Sequence, residues 1–463
     1  MNAELHRAHD DSSADGGAPL FTAPSSDGDP KCDLHLLFMI RFLRLFAFGC
    51  CTVVLLLLLE AAGLEGSQIG TLLSGTMVGD LFITLLLTTS ADGCGRKRVL
   101  IAGAGLAVLG SIALSSTTDF TILLIACTVG VISPAGGEVG PFLAVEQAAL
   151  AGLTSQDGGV AAIAEQYGRY QAVGEVAKAL GSLTGGHIVQ AASATGTPTL
   201  NALRIPVYIF GALSLGKAAL YTRLSPKIEA PPAHPRGGAS KGGAGLHDMA
   251  ARLPCAASLS PGSRGVVVRL SGLFAVDAFA GGFTMLTFLA FWFRTRWGLP
   301  FGALGGILAG VNVVAGLSGM LAGRMVARFG AIETMVYTHL PSNVLLILVP
   351  LMPSAEAAAA MLILRFTISQ MDVPARQAYV VWQVRAEERS AAGGLTSIAR
   401  SLGLSLSPLL LGSFTTAPAG SVRLDCPFYI AGGLKILYDL AVWRHFRTGQ
   451  GHGQPDEDAD DIL

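Results

Sequence analysis

Twelve separate stretches of this 463-residue sequence are both apolar and long: 34–60, 67–90, 99–117, 120–150, 165–190, 203–223, 266–293, 301–323, 331–350, 356–384, 391–414 and 427–445. Many reach the roughly 20 residues that a helix, rising 1.5 Å per residue, needs to cross about 30 Å of hydrocarbon. A soluble protein needs charge to keep its surface in water, at roughly 25% of its residues. Here charged residues are 14%, so lipid is the expected solvent for most of the surface. The sequence predicts an all-α integral membrane protein with about twelve transmembrane helices. The fourth and tenth runs are long enough to tilt or to project beyond the lipid.

Lysine and arginine set the orientation, because basic loops stay on the cytoplasmic side. With both termini cytoplasmic, the inside loops hold Arg96, Lys97, Arg98, Arg223, Lys227, Arg264, Arg324, Arg328, Arg385, Arg389 and Arg444 among others. The outside loops hold little beyond Arg204, Arg294, Arg296 and Arg423. Residues 1–33 are polar and acidic without the apolar core of a signal peptide, which predicts a disordered cytoplasmic tail. Residues 448–463 form an acidic C-tail. Between the sixth and seventh runs, 224–264 carries Pro226, Pro231, Pro232, Pro235 and many glycines, the composition of a flexible cytoplasmic linker. The expected organisation is a six-helix bundle at 34–223, the linker, and a second six-helix bundle at 265–447. Cell-surface and organelle membranes fit this pattern equally.

A net charge of −1 gives no reason to expect nucleic acid or any other polyanion as partner. The seven cysteines show no CxxC or Cys/His spacing, so neither a metal nor a cofactor is expected. The expected partners are a small-molecule solute, protons and the lipid bilayer, around a monomer.

The two halves echo each other. Gly63, Gly70, Gly75 and Gly95 recur 235 positions later as Gly298, Gly305, Gly310 and Gly330. Glu138-Val-Gly-Pro in the fourth run has a counterpart in Asp372-Val-Pro in the tenth. Parallel repeats of this kind build transporters whose sites lie at the repeat interface.

The loop after the second run concentrates charge at a short turn: Gly79-Asp80, then Ala91-Asp92-Gly93-Cys94-Gly95-Arg96-Lys97-Arg98. Such a cluster can lock neighbouring helices through charge-assisted hydrogen bonds. Asp92 can pair with an arginine or cap a helix N-terminus. A solvated basic loop that only sets topology is the alternative. The second half carries Gly323-Arg324-Met-Val-Ala327-Arg328-Phe-Gly330, with Ala327 where the first copy has Asp. The loop resembles the signature of the major facilitator superfamily, with Ser90 or a neighbour in place of its usual first glycine. The resemblance extends over nearly the whole chain except the tails and linker. It implies the major facilitator fold of two six-helix pseudo-repeats. It also implies a gating role for Gly79, Asp80, Asp92, Gly95, Arg96, Lys97, Arg98, Arg324 and Arg328, and is silent on substrate. Residues 133–142 with Glu146-Gln147, and 371–377 with 387–390, resemble an uncharacterised permease branch of that superfamily. Gly181-Ser182-Leu-Thr-Gly-Gly186 is similar to the glycine-rich signature of drug–proton antiporters, but Ser182 replaces its proline.

A charged group in hydrocarbon costs at least ~2.5–3.5 kcal/mol, so it needs a partner, water or a function. Arg41 and Arg44 lie in the first third of the first run. One is expected to snorkel at the lipid boundary and the other to face the interior. Glu138 sits among Ala135, Gly136, Gly137 and Gly140, where a carboxyl suits proton binding and release. A structural pair with Arg41, Arg44 or Lys178 is the alternative. Glu175 and Lys178 share a helix face and predict a local ion pair. Asp277 has no basic partner at helical spacing, so its partner must come from another helix or from water. Asp372 and Arg376 are spaced i, i+4 around Pro374, which can free a backbone carbonyl. Arg400 can reach the same region. The candidates for substrate or proton coupling are therefore Glu138, Asp277, Asp372, Arg376, Arg41, Arg44, Glu175 and Arg400, ahead of Asn312 and Gln147. Trp292 and Trp297 are expected in an interfacial belt.

His187 stands out as the main intramembrane histidine, with no HxxxH or HExxH pattern to support an enzyme. No phosphate-binding loop suggests an ATP-driven pump. The expected function is secondary active transport of a small solute by alternating access with proton coupling. Uncoupled facilitation, and a non-transporting receptor or scaffold on the same fold, are the alternatives.

Overall fold

The computed structural model describes residues 30–130, 142–154, 159–229, 259–385 and 388–446. Among them every long element is an α-helix: α1 (Pro30–Thr52), α2 (Leu55–Ala61), α3 (Gly66–Cys94), α4 (Arg96–Ser116), α5 (Phe120–Val129), α6 (Phe142–Thr154), α7 (Gly159–Ala194) and α8 (Thr199–Thr222) before the linker. After it come α9 (Pro261–Gly282), α10 (Leu286–Trp297), α11 (Phe301–Phe329), α12 (Ala331–Leu348), α13 (Ala355–Ser369), α14 (Asp372–Trp382), α15 (Arg389–Thr415) and α16 (Val422–Phe446). Among the described residues eight segments are long and apolar enough to cross a membrane on their own.

The helices outnumber the expected spans because several runs are broken. The first run divides into α1 and α2, the seventh into α9 and α10, and the tenth into α13 and α14. In the tenth, Pro374 has no N–H to offer the Gln370 carbonyl four residues back, and α13 ends at Ser369. In the first, the Thr52 hydroxyl donates to the Phe48 carbonyl at 2.8 Å, competing with the helix ladder just before the break. In the seventh, Gly281-Gly282 closes α9. The fourth run is represented by α5 and α6, which flank 131–141.

Packing repeats from one half to the other. α1 lies against α7 and α8, α3 against α5, and α4 against α8. Correspondingly, α9 lies against α15 and α16, α11 against α13, and α12 against α16. Two seams join the sets, α7 with α11 and α3 with α15. The glycines with the common offset hold matching places. Gly95 and Gly330 turn the chain into α4 and α12 at φ 99° and 91°, where a side chain would be strained. A Cβ on Gly70 would stand 2.5 Å from the Pro408 carbonyl oxygen, and one on Gly305 2.5 Å from that of Ser182. Both seams are thus backbone against backbone, the close approach that small residues allow in lipid.

These contacts lie at one end of the bundle. The seam involves Ser182, Gly186 and Gln190 late in α7 and Gly302 and Gly305 early in α11. That end is distal to the chain termini. There Trp292 is fully buried, which corrects its expected place in an interfacial belt. Its Nε1 donates to Asp425 Oδ1 at 2.8 Å, and Arg296 pairs with the same carboxylate at 2.5 Å. Asp425, in the first turn of α16, gives the indole a polar partner inside the protein, so it has no need of the headgroup region.

At the opposite end both ends of the 224–264 segment are fastened. Ser225 N donates to Asp33 Oδ1 at 2.9 Å. Glu229 accepts from the backbone N–H groups of Arg96 and Lys97 at 2.5 and 3.1 Å, capping α4. Lys97 Nζ reaches the Leu224 carbonyl at 2.9 Å. Ser260 N donates to Glu388 at 2.6 Å. The flexible linker expected from composition is therefore ordered at 224–229 and from 259 onward.

Candidate functional site

Asp277 lies near the C-terminal end of α9, 3% exposed, and gathers cations from three other helices. Lys435 Nζ of α16 is 2.6 Å from Oδ1; Arg376 Nη1 of α14 and Arg400 Nη1 of α15 are 3.2 and 3.0 Å from Oδ2. Arg376 also holds Asp372 at 3.0 Å, one turn back on its own helix. On the other side, His339 Nε2 of α12 lies 3.8 Å from Asp277 Oδ1. Its Nδ1 is 2.8 Å from Asp439 Oδ1, and Asn343 Nδ2 donates to Oδ2 of Asp439 at 2.9 Å. A buried histidine thus bridges two carboxylates.

The hub forms part of the wall of a cavity of about 580 Å³. Glu175 and Lys178 of α7, Asn312 of α11 and Arg365 of α13 line it with Asp277, Arg400 and Lys435. Gln370 and Pro374, at the break between α13 and α14, also face it. Along α7 the lining residues 168–178 precede the seam residues 182–190. Along α11 the lining residues 312–320 follow Gly302 and Gly305. The cavity therefore lies on the termini side of a closed distal seam. A recess of about 510 Å³ between α9, α14 and α15 adjoins it and reaches Arg376.

A second charged cluster is sealed inside the first half. Arg44 pairs with Glu146 at 2.5 Å with both side chains fully buried. The hydroxyls of Tyr170 and Tyr221 both donate to the same carboxylate. Arg41 Nε donates to the Tyr170 carbonyl at 2.6 Å, its Nη2 donates to Gln171, and its guanidinium stacks 4.0 Å from the Tyr170 ring. Lys217 Nζ sits 4.4 Å from the centre of the Phe142 ring.

Of the expected site residues, Asp277, Glu175 and Arg400 line the cavity, and Arg376 and Asp372 connect behind Asp277. Glu175 meets Lys178 at 2.7 Å, the local pair that its spacing predicts. Arg41 and Arg44 are 0% and 2% exposed, so neither snorkels to the lipid boundary, and neither lines the cavity. The reason is that Glu146, Tyr170 and Gln171 offer them partners inside the bundle. Glu138 lies outside the described residues, as does the side chain of Asp92. In the loop motif Gly79 packs on the Thr128 carbonyl, Thr84 Oγ1 donates to Asp80 at 3.4 Å, and Arg98, Arg324 and Arg328 are exposed. His187 is exposed, and among the described residues the buried histidine is His339. Sequence reasoning missed Lys435, His339, Asp439 and Lys217. The signal was available, since each interrupts a predicted apolar run.

Among the described residues no group of three or more His, Cys, Asp or Glu side chains is arranged to hold a metal ion.

Comparison with known proteins agrees with this architecture. The chain is 27% identical over 429 residues to the uncharacterized membrane protein YJR124C of Saccharomyces cerevisiae, covering 89% of this chain and 94% of that protein. It shares its fold with a point mutant of the nucleoside transporter NupG, at TM-score 0.70 and 14% identity over 89% of this chain and 100% of that one. It does so too with a bacterial homologue of the human lysosomal transporter Spinster in an inward-facing, occupied conformation, at TM-score 0.65 and 16% identity over 91% and 98% of the two chains. The human organic anion transporter MFSD10 (TETRAN) matches at TM-score 0.60 and 15% identity over 90% and 100%. The family model of the Major Facilitator Superfamily matches residues 37–408, so this chain belongs to that superfamily, as a multi-pass membrane transporter and not an enzyme.

Proposed function

We propose that the chain is a secondary active transporter that carries a small solute by alternating access, with proton coupling at Asp277. The observation that carries the reading is one buried carboxylate, held by cations from three helices, in the wall of a cavity between the two sets of packed helices. The division into six-helix bundles at 34–223 and 265–447 gives two bodies to rock, and the glycine seams give the contact that opens on the distal side. Cytoplasmic termini make the present arrangement inward-facing. A proton arriving from the cavity at Asp277 can pass to His339 and on to Asp439 over contacts of 3.8 and 2.8 Å. The charged and titratable groups packed round this path are Lys435 and Tyr438 of α16, Arg376 and Asp372 of α14, Arg400 of α15 and Arg365 of α13. Solute that displaces the cations from Asp277 would change its hold on the proton, which is the coupling step.

The test is internal pH and solute uptake in proteoliposomes during addition of a solute panel, with Asp277→Asn and His339→Gln beside the wild type. Solute-dependent proton flux is expected in the wild type and at roughly a tenth or less in Asp277→Asn, a loss of about 1.4 kcal/mol or more of transition-state stabilisation. Uptake without proton movement, unchanged in both variants, would instead establish an uncoupled facilitator and reduce the hub to structure.

A further inference from the structure

The described charges on the cavity wall do not balance. Lys178, Arg365, Arg400 and Lys435 face two carboxylates, Glu175 and Asp277. Glu175 is engaged by Lys178, and Asp277 is shared among Lys435, Arg400 and Arg376. Adding the groups immediately behind the wall, Arg376, Asp372 and Asp439, still leaves cations in excess among the described residues.

Arg365 is the sharpest case. It is 7% exposed, lines the cavity, and its Nε is buried with no hydrogen-bond partner among the described residues. It forms no ion pair there, and its guanidinium rests 4.8 Å from the Phe366 ring. A buried guanidinium is costly until an anion meets it. Its planar fork matches an oxyanion through paired N–H donors. Arg400, 33% exposed, offers a second fork to the same space. It also matches Lys178: each stands three residues before a glycine, Gly403 and Gly181, pressed against a backbone carbonyl of the neighbouring helix, Ala275 of α9 and Phe46 of α1. The two sets of helices thus each direct a cation to the cavity from corresponding places.

We infer that the cavity binds a small organic oxyanion, a solute bearing carboxylate or phosphate, with Arg365 and Arg400 as its principal contacts. The inference rests on the transport reading only for what happens after binding, because the site can be tested at equilibrium. The full chain, purified in detergent, is titrated by calorimetry and followed by thermal unfolding with four probes: succinate, inorganic phosphate, choline and glucose. At least one oxyanion is expected to bind and to raise the unfolding temperature, as a ligand specific for the folded state must. Arg365→Gln is expected to weaken that binding tenfold or more, and Arg365→Lys to restore part of it. Without ligand, Arg365→Gln should unfold at the wild-type temperature or above it, since it removes a buried charge that has carboxylates nearby but none in contact; an arginine that only braces the fold would give a fall.

Binding of choline or glucose in place of both oxyanions would overturn the inference. So would silence of both oxyanions well above the roughly 1 mM that bounds ordinary substrate affinities, or wild-type binding in Arg365→Gln. Oxyanion binding without flux in proteoliposomes would leave the site standing and remove the transport reading. Flux of a neutral or cationic solute, lost in Asp277→Asn, would do the reverse.

Discussion

The molecule holds two clusters of buried charge built on different terms. In the first half, Glu146 sits at the centre of Arg44, Tyr170 and Tyr221, and the pair is fully enclosed. In the second half, Asp277 is just as central, but Arg400 beside it is 33% exposed to a cavity and Lys435 lines the same space. A sealed cluster has only its own members to balance charge, so its geometry must be complete at all times. A cluster with a cavity on one side can exchange a partner for water, a proton or a solute. The contrast assigns stability to Glu146 and exchange to Asp277, although both are carboxylates under cationic guard in the middle of a helical bundle.

The largest expected effect breaks the sealed cluster. Glu146→Ala leaves Arg44 buried without its carboxylate and strips an acceptor from two tyrosines, a change of about 3–5 kcal/mol. Thermal unfolding of the purified chain should show it, and added anions should not restore it because both side chains of the pair are fully buried. Asp277→Asn should lose less stability and regain part of it in phosphate buffer. Equal rescue of both variants by anions would abolish the distinction between the clusters.

An intermediate effect sharpens the comparison by moving the cavity and leaving the charges alone. Gly305→Leu places a side chain where the Ser182 carbonyl now stands, an overpacking of about 1–3 kcal/mol against the distal seam. The expected outcome is a population shift toward a distally open form. It can be read as faster thiol labelling of a cysteine introduced at Ser182, which is fully buried in the closed seam. Labelling unchanged from the parent would mean that the seam yields locally.

The smallest effect comes from a carboxylate outside both clusters. Hydrogen bonds from Ser263 first, and from Ser260, hold the Glu388 carboxyl below its ordinary value near 4.5. Its contribution is present above that ordinary value and fades as pH falls through the lowered one in the folded protein. Glu388→Gln should cost a small amount of stability at neutral pH and flatten that acid limb of the stability–pH curve, the difference from wild type closing as pH falls through the lowered value. A difference that appears only in acid and closes toward neutral pH would contradict the sign.

The helical class and the places of the runs were legible because lipid demands length and apolarity at every crossing, and those survive in sequence. The repeat was legible in glycines, since a positive φ or a backbone contact excludes most other residues at Gly95, Gly330, Gly70 and Gly305. Breaks such as the one before Pro374 were harder, because one missing N–H changes a helix without changing hydropathy. Asp277 stood out as a lone charge, yet its partners Arg376, Arg400 and Lys435 come from other helices far along the chain. No local spacing links them. Of Arg41 and Arg44, the one expected to face the interior is found there, while the one expected at the lipid boundary was misplaced for the same reason, since burial depends on what neighbouring helices offer.

The indole of Trp292 makes the distal end visible without a label. It lies edge-on to Trp297 with ring centres 4.8 Å apart and shares Asp425 with Arg296. The sequence has four tryptophans, and two of them form this one pair. Separation of α10 from α16 would wet the indole, break its bond to Asp425 and shift its emission to the red. Opening of the distal end is then an optical event in the native chain, and stopped-flow fluorescence can time it.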